Sequence, residues 1–179
     1  MPDDSTRAKS ADEAARLLTT YVQDHRAGAA AGLSLLRRCR KSNEGSSTGS
    51  VLAELEREID DDRRSLQRIM ASLQVEPSRV KMLLGSVTPL LGRLKRNNRV
   101  FGPYSPLTRV LELETLAAGI LTKQHLWLAL LAITGTDSRL DQVDLQRLSG
   151  RATAQLERVT ELHRTAASQA FTAPGGGDA

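Results

Sequence analysis

Among the carboxylates and histidines of this sequence, six are candidates to hold a metal or move protons inside a helical protein: Asp24, His25, Glu58, Asp62, Glu114 and His163. Carboxylate oxygens and imidazole nitrogens are ligands that suit iron or manganese, and with them redox or storage chemistry. Helical bundles that hold two such ions draw one Glu from each of two helices and a Glu-x-x-His pair from each of the other two. The spacing matters because residues three apart share a helix face and reach the same ion pair. Here the positions three before His25, His125 and His163 are Val22, Thr122 and Thr160, so no Glu-x-x-His occurs. A metal centre built from these six residues would be atypical. Alternatively, His25, Asp62, Glu114, Lys123 and His125 form a buried polar network. Lys123, with Arg151 or Arg158, then supplies the positive charge that a metal would otherwise give. A buried carboxylate without a cation, proton or donor is costly, so wherever these groups face inward one of the two arrangements is required. If a helix stripe is out of phase by one residue, several of them are simply solvated. The network needs no cofactor, whereas the metal centre calls for Fe or Mn.

Little else points to an enzyme, and a non-catalytic role is the expectation. Gly-x-Ser-x-Gly, Walker A and His-Glu-x-x-His sequences are absent, and the glycines at 175–177 neither follow a strand nor open a helix. Cys39 sits among Arg37, Arg38, Arg40 and Lys41, which would lower its thiol pKa if it were exposed. A packed, unreactive Cys is the plainer expectation. One Cys excludes an intramolecular disulfide and a Cys-rich zinc site.

Charge is unevenly spread. The formal net charge is +4, yet between Pro77 and Leu111 there is no acid to offset Arg79, Lys81, Arg93, Lys95, Arg96, Arg99 and Arg109. The opposite sign gathers at Glu54, Glu56, Glu58, Asp60, Asp61 and Asp62. Arg79, Lys81, Arg93, Lys95, Arg96 and Arg99 could contact the phosphates of a nucleic acid. Only Phe101 and Tyr104 offer stacking, however, and no helix-turn-helix spacing or RNA-binding signature accompanies them. A basic face turned to water or to the acidic patch is favoured over nucleic acid or an anionic membrane surface.

The elements that must position these groups are helices. Aromatics make up 3% of the chain, and Leu, Ala, Arg, Glu and Gln dominate it, which argues against a sandwich or barrel. Tails at 1–9 and 172–179 lack periodicity and read as disordered, leaving one domain at 10–171. Helix A is expected at 11–41, capped by Ser10 with Glu13 three residues on. A Ser- and Gly-rich loop at 42–50 precedes helix B at 51–73. Helix C, at 77–96, opens on Pro77 and carries Gly85, Pro89 and Gly92, which predict a kink. Helix D is expected at 106–133 and helix E at 138–170, capped by Asp137 or Ser138. Apolar stripes put His25 inward on helix A, Asp62 inward on helix B, and Glu114 and His125 inward on helix D, along the series 107, 111, 114, 118, 121, 125, 128.

Short A–B and D–E connections predict two antiparallel hairpins. Against the main alternative, a plain up-down bundle with helix C at its side, the long B–D connection containing helix C is read as a crossover from one end of the bundle to the other. In this architecture the chain resembles the ferritin-like superfamily over 11–170. It is also similar to a group of actinobacterial proteins with a Tyr-x-x-Asp-His-x-x-Gly first helix, matched by Tyr21, Asp24, His25 and Gly28, and a Leu-Glu-x-Glu fourth helix, matched by Leu111, Glu112, Leu113 and Glu114. The resemblance implies an all-α four-helix bundle with a fifth, kinked crossover helix, and no particular activity. No apolar run approaches the ~20 residues that span a bilayer, and the polar start is unlike a signal peptide, so a cytoplasmic protein is expected. The small residues from Ala27 to Ala31, with Gly32, permit close helix contact, either internally or in a homo-oligomer, of which a dimer is favoured.

Overall fold

The computed structural model describes residues 4–76 and 104–172. Four long helices carry most of them: α1 (Asp4–Ser42), α2 (Ser47–Ser72), α3 (Pro106–Leu131) and α4 (Leu145–Phe171), with a 3-10 turn at Ser138–Leu140 ahead of α4. Among the described residues there is no strand, and no helix is long and apolar enough to cross a membrane. The expected helix C at 77–96, its kink, and the cations Arg79, Lys81, Arg93, Lys95, Arg96 and Arg99 lie outside the described residues.

Helix ends follow local side-chain chemistry. α1 starts ahead of the expected cap: Ser10 lies inside the helix, and its hydroxyl donates back to the Arg7 carbonyl at 2.9 Å. α2 also begins early, because the Ser46 hydroxyl accepts from the Gly49 backbone N–H at 3.1 Å and caps it. The loop expected at 42–50 therefore shrinks to a tight turn, closed by Gly45 at φ +79. Gly49 is buried against that turn; a Cβ there would fall 2.2 Å from the Asn43 carbonyl oxygen. α3 opens at Pro106 as expected, and the Ser105 hydroxyl caps it. Helix E divides in two. Asp137 caps the 3-10 turn, and Asp144 then caps α4 by accepting from the Arg147 N–H at 2.9 Å.

Hydrogen bonds at the helix ends fix the directions. At one end Asn43 Nδ2, just after α1, donates to the Tyr104 hydroxyl just before α3, at 3.1 Å. At the other, Arg139 Nη1 in the α3–α4 connection donates to the Leu73 carbonyl closing α2, at 3.2 Å, and Gln23 Nε2 of α1 donates to the Glu76 carbonyl at 3.0 Å. So α1 and α4 run one way, and α2 and α3 the other. α1 packs on α2 and α3, and α4 packs on α3 and α2.

The interior has two apolar clusters. One gathers Val22, Leu66, Ile69, Met70, Leu126, Trp127, Leu130, Leu145 and Leu148 at the Arg139 end. The other gathers Leu35, Leu36, Cys39, Leu52, Leu55, Val110, Leu113, Leu116, Ile120 and Val159 at the Tyr104 end. Between them each helix breaks its apolar series. α2 does so at Glu58 and Asp62, α3 at Lys123, and α4 at Gln155. On α1 the gap between the buried Val22 and Leu33 holds Gly28, Ala29 and Gly32. A Cβ built at either glycine would meet nothing within 4 Å, so neither glycine is required by a close internal contact.

Candidate functional site

The polar layer between the clusters is the most developed chemical feature of the bundle. It is built because α2 turns Asp62 inward between Leu55 and Leu66, leaving its carboxylate 1% exposed in mid-core. Such a group must be matched by donors. Lys123 Nζ of α3 donates to Asp62 Oδ2 at 2.5 Å, and Arg151 of α4 bonds Oδ1. Gln155, itself fully buried, donates through Nε2 to Asp62 Oδ2 at 3.2 Å and to Glu58 Oε2 at 3.1 Å, while its amide oxygen accepts from Lys123. Arg158 closes the chain on Glu58, with Glu54 3.8 Å away. Two carboxylates, three cations and one amide from three helices thus satisfy one another. The exception is Arg151 Nε, which is buried without a partner. The basic side chains from α4 that the sequence offered as metal substitutes, Arg151 and Arg158, are both in the layer.

Electrostatics follow this packing. Burial pulls Lys123 below the ordinary lysine value of 10.5, against the raising effect of the Asp62 carboxylate. For Glu58 burial acts upward, but hydrogen bonds from Arg158 and Gln155 outweigh it and hold the carboxyl below its ordinary 4.5. A carboxylate whose folded pKa is depressed lends stability above its unfolded pKa and loses it as pH falls through the folded value. The thermal midpoint is therefore expected to drop as pH goes below 4.5. In Glu58→Gln that drop should be shallower, as read by melts on either side of that pH. An equal slope in the two proteins would remove Glu58 from the acid response.

The remaining candidates are elsewhere. Glu114 and His125 are exposed, not buried, and take no part in the layer. Glu114 instead lies 3.2 Å from His163 Nε2 on the surface between α3 and α4. The reason is rotation: the inward face of α3 is Val110, Leu113, Leu116, Ile120, Trp127 and Leu130, and the stripe through 107, 111, 114, 118, 121, 125 and 128 faces away from the core. His25 is half-buried and packs edge-on against Tyr21, ring centroids 4.5 Å apart, and is absent from the layer. Burial lowers its pKa, opposed by Asp24, which is exposed. The six candidate metal ligands are thus scattered over three places. Among the described residues, no three His, Cys, Asp or Glu side chains converge to hold an ion. The donor set does not fit a dinuclear metal centre, because both Asp62 oxygens already accept from protein cations.

Sequence reasoning missed Gln155 and Glu112. Gln155 lies on the series Leu148, Ala152, Val159, Leu162, Ala166, and running that stripe one turn backward from Val159 would have found it. Glu112 is 2% exposed and accepts from Arg38 Nε at 2.9 Å, with its other oxygen unpartnered. Beside it Cys39 is fully buried, its thiol pushed up to about 12 by burial and by Glu112. Cys39 is packed, as the plainer expectation has it, and the neighbouring cations are engaged elsewhere, Arg37 and Arg40 with Glu56 and Arg38 with Glu112. Arg109, of the basic segment, stacks 5.6 Å over the Tyr104 ring. An open groove between α2 and α4 is lined by Arg64, Arg68, Arg147 and Arg151, with Asp61 and Ser65; Arg64, Arg147 and Arg151 are held by Asp60 and Asp61, Asp144, and Asp62 respectively.

Comparison of the chain with protein-family models, with curated proteins and with solved structures finds no match.

Proposed function

We propose that the chain is a non-catalytic helical bundle of ferritin-like design whose mid-core carries an ion-pair and hydrogen-bond layer in place of a metal centre, and that it serves as a structural or interaction module. One observation carries this reading: the Lys123 ammonium and the Arg151 guanidinium occupy the two oxygens of Asp62, a carboxylate fully buried at mid-bundle. A fixed positive charge at that point opposes a divalent cation by direct repulsion in a low-dielectric surrounding. The ferritin-like assignment draws on the up-down-down-up course of the four helices, with a crossover between α2 and α3 that must link opposite bundle ends. A cytoplasmic setting fits the single buried thiol.

The test is metal content by mass spectrometry after anaerobic loading with iron and manganese. The expected result is a trace amount, far below one ion per chain, in the wild type and in Asp62→Asn alike. Stoichiometric metal in the wild type that disappears in Asp62→Asn would overturn the reading and restore redox or storage chemistry at the bundle centre.

A further inference from the structure

The stripe of α3 that faces away from the core is itself apolar and unusually regular. Leu107, Leu111, Glu114, Ala118, Leu121, His125, Leu128 and Ala132 follow one another at alternating intervals of four and three. That is the heptad spacing of a coiled-coil seam. Leu107 and Leu111 are half-buried and the other six are exposed, with Leu121 at 42% and Leu128 at 45%. None of its leucines belongs to either core cluster. Flanking it are Thr115, Thr122 and Ala129, and Glu114 is the only exposed, formally charged side chain on α3. The outward faces of α2 and α4, by contrast, carry Arg57, Asp61, Arg64 and Arg68, and Arg147, Glu157, Glu161 and Arg164. A helix apolar on both sides is buried on both sides.

We infer that this face is covered by the same face of a second copy, the two α3 helices lying antiparallel across a two-fold axis midway between Gly119 and Ile120. The stripe reads as its own complement about that point. Reversal sets Leu107 against Ala132 of the partner subunit, Leu111 against the partner's Leu128, and Ala118 against the partner's Leu121. Each is the pairing of a first with a fourth heptad position that antiparallel coils require. The two polar members also meet: Glu114 falls opposite His125 of the partner subunit, an acceptor against a donor. Parallel pairing would instead set Glu114 against the partner's Glu114 and His125 against the partner's His125, like against like. Self-matching of this kind is what an isologous interface demands and what an unrelated partner would not need. Glu114 stays in reach of His163 on its own chain through Oε1, which leaves its second oxygen for the partner. This assembly is independent of what the bundle centre binds.

Light scattering on the eluting full chain at micromolar concentration tests the assembly, and cysteine cross-linking tests the register. The wild type should run at twice the 19.5 kDa chain mass. Leu121→Glu with Leu128→Glu should run at the single-chain mass while keeping its helical circular dichroism, since neither side chain is buried in the chain itself. Ala118→Cys mixed with Leu121→Cys should form a disulfide-linked dimer in several-fold higher yield than either variant alone; the native Cys39 is buried and stays out of the reaction. A monomeric wild type would overturn the proposal. So would a dimer that survives the double glutamate variant, or Ala118→Cys linking to itself as readily as to Leu121→Cys.

Discussion

Replacing Asp62 by Ala is expected to destabilise the protein by about 3–5 kcal/mol, the usual cost of breaking a buried ion pair by removing one member. Asp62 is the one group that Lys123, Arg151 and Gln155 all share. Without it two cations remain in mid-core with only the Gln155 amide and Glu58 nearby. In a domain of this size that corresponds to a fall of roughly 6–20 °C in thermal midpoint. The deficit should depend on pH in a definite direction. Lys123 already has a depressed pKa from burial, and losing the carboxylate that opposes this lowers it further. A lysine whose folded pKa lies below its unfolded value loses its penalty as pH rises through the folded pKa, so the deficit of Asp62→Ala should shrink as pH climbs toward 10.5. The apolar control separates charge from packing. Asp62→Leu, Lys123→Met, Arg151→Met and Gln155→Leu together should recover the wild-type stability or exceed it by about 1–4 kcal/mol, because the layer is then apolar, both cations that Asp62 held are gone, and Glu58 keeps its Arg158 partner. Urea titration of the three proteins measures all of this. An Asp62→Ala cost below about 1 kcal/mol would mean the layer is solvated and the ion pairs are ornamental.

That layer was partly legible in the sequence, and the pattern of success has a physical cause. On α2 the apolar residues Leu52, Leu55, Ile59, Leu66 and Ile69 stand against a strongly charged opposite face. The phase of the helix was therefore unambiguous, and Asp62 read as inward. α3 has no such contrast. Leucines occupy 107, 111, 121 and 128 on one side and 113, 116, 126 and 130 on the other, so periodicity alone cannot say which side is core. For that one reason the series through 114 and 125 reads as inward although both are exposed, and the buried Glu112 does not stand out. Lys123 stands out in the sequence by its charge, not by a place on the stripe.

The existence and pairing of the four described helices were legible from propensity and loop length, but end positions depended on competition between neighbouring caps. Ser10 resembles a cap, yet nothing ahead of it from Asp4 onward interrupts a helix, so its hydroxyl folds back on Arg7. Asp137 and Asp144 are both competent caps seven residues apart. The chain uses both, ending the first as a 3-10 turn at Leu140 and starting α4 afresh. Asn43 was invisible as an organiser because its role is tertiary: it joins the Cys39 carbonyl at 2.7 Å to the hydroxyl of Tyr104, distant in sequence.

If α3 is apolar on both sides, something must decide which side turns inward, and Trp127 is the residue that does so. It is 1% exposed in the cluster formed with Val22, Met70, Leu130, Leu145 and Leu148. No leucine of the outward stripe has the volume to replace it. Trp127→Ala is expected to cost about 3–5 kcal/mol through lost burial and the cavity left behind. It should also narrow the energy gap between the native rotation of α3 and one that turns Leu121 and Leu128 inward. Trp127→Phe should cost much less. The indole Nε1–H is buried without an acceptor, so its removal relieves an unmet donor while most of the ring volume stays. The two effects are read separately, by urea titration for stability and by amide hydrogen exchange along α3 for rotational uniqueness. Trp127→Ala should lose protection over 106–131 beyond what its global stability dictates, whereas Trp127→Phe should not. Equal exchange patterns in the two variants, once scaled to stability, would show that the phase of α3 is set elsewhere, by the Lys123–Asp62 contact or by the face that a second copy covers.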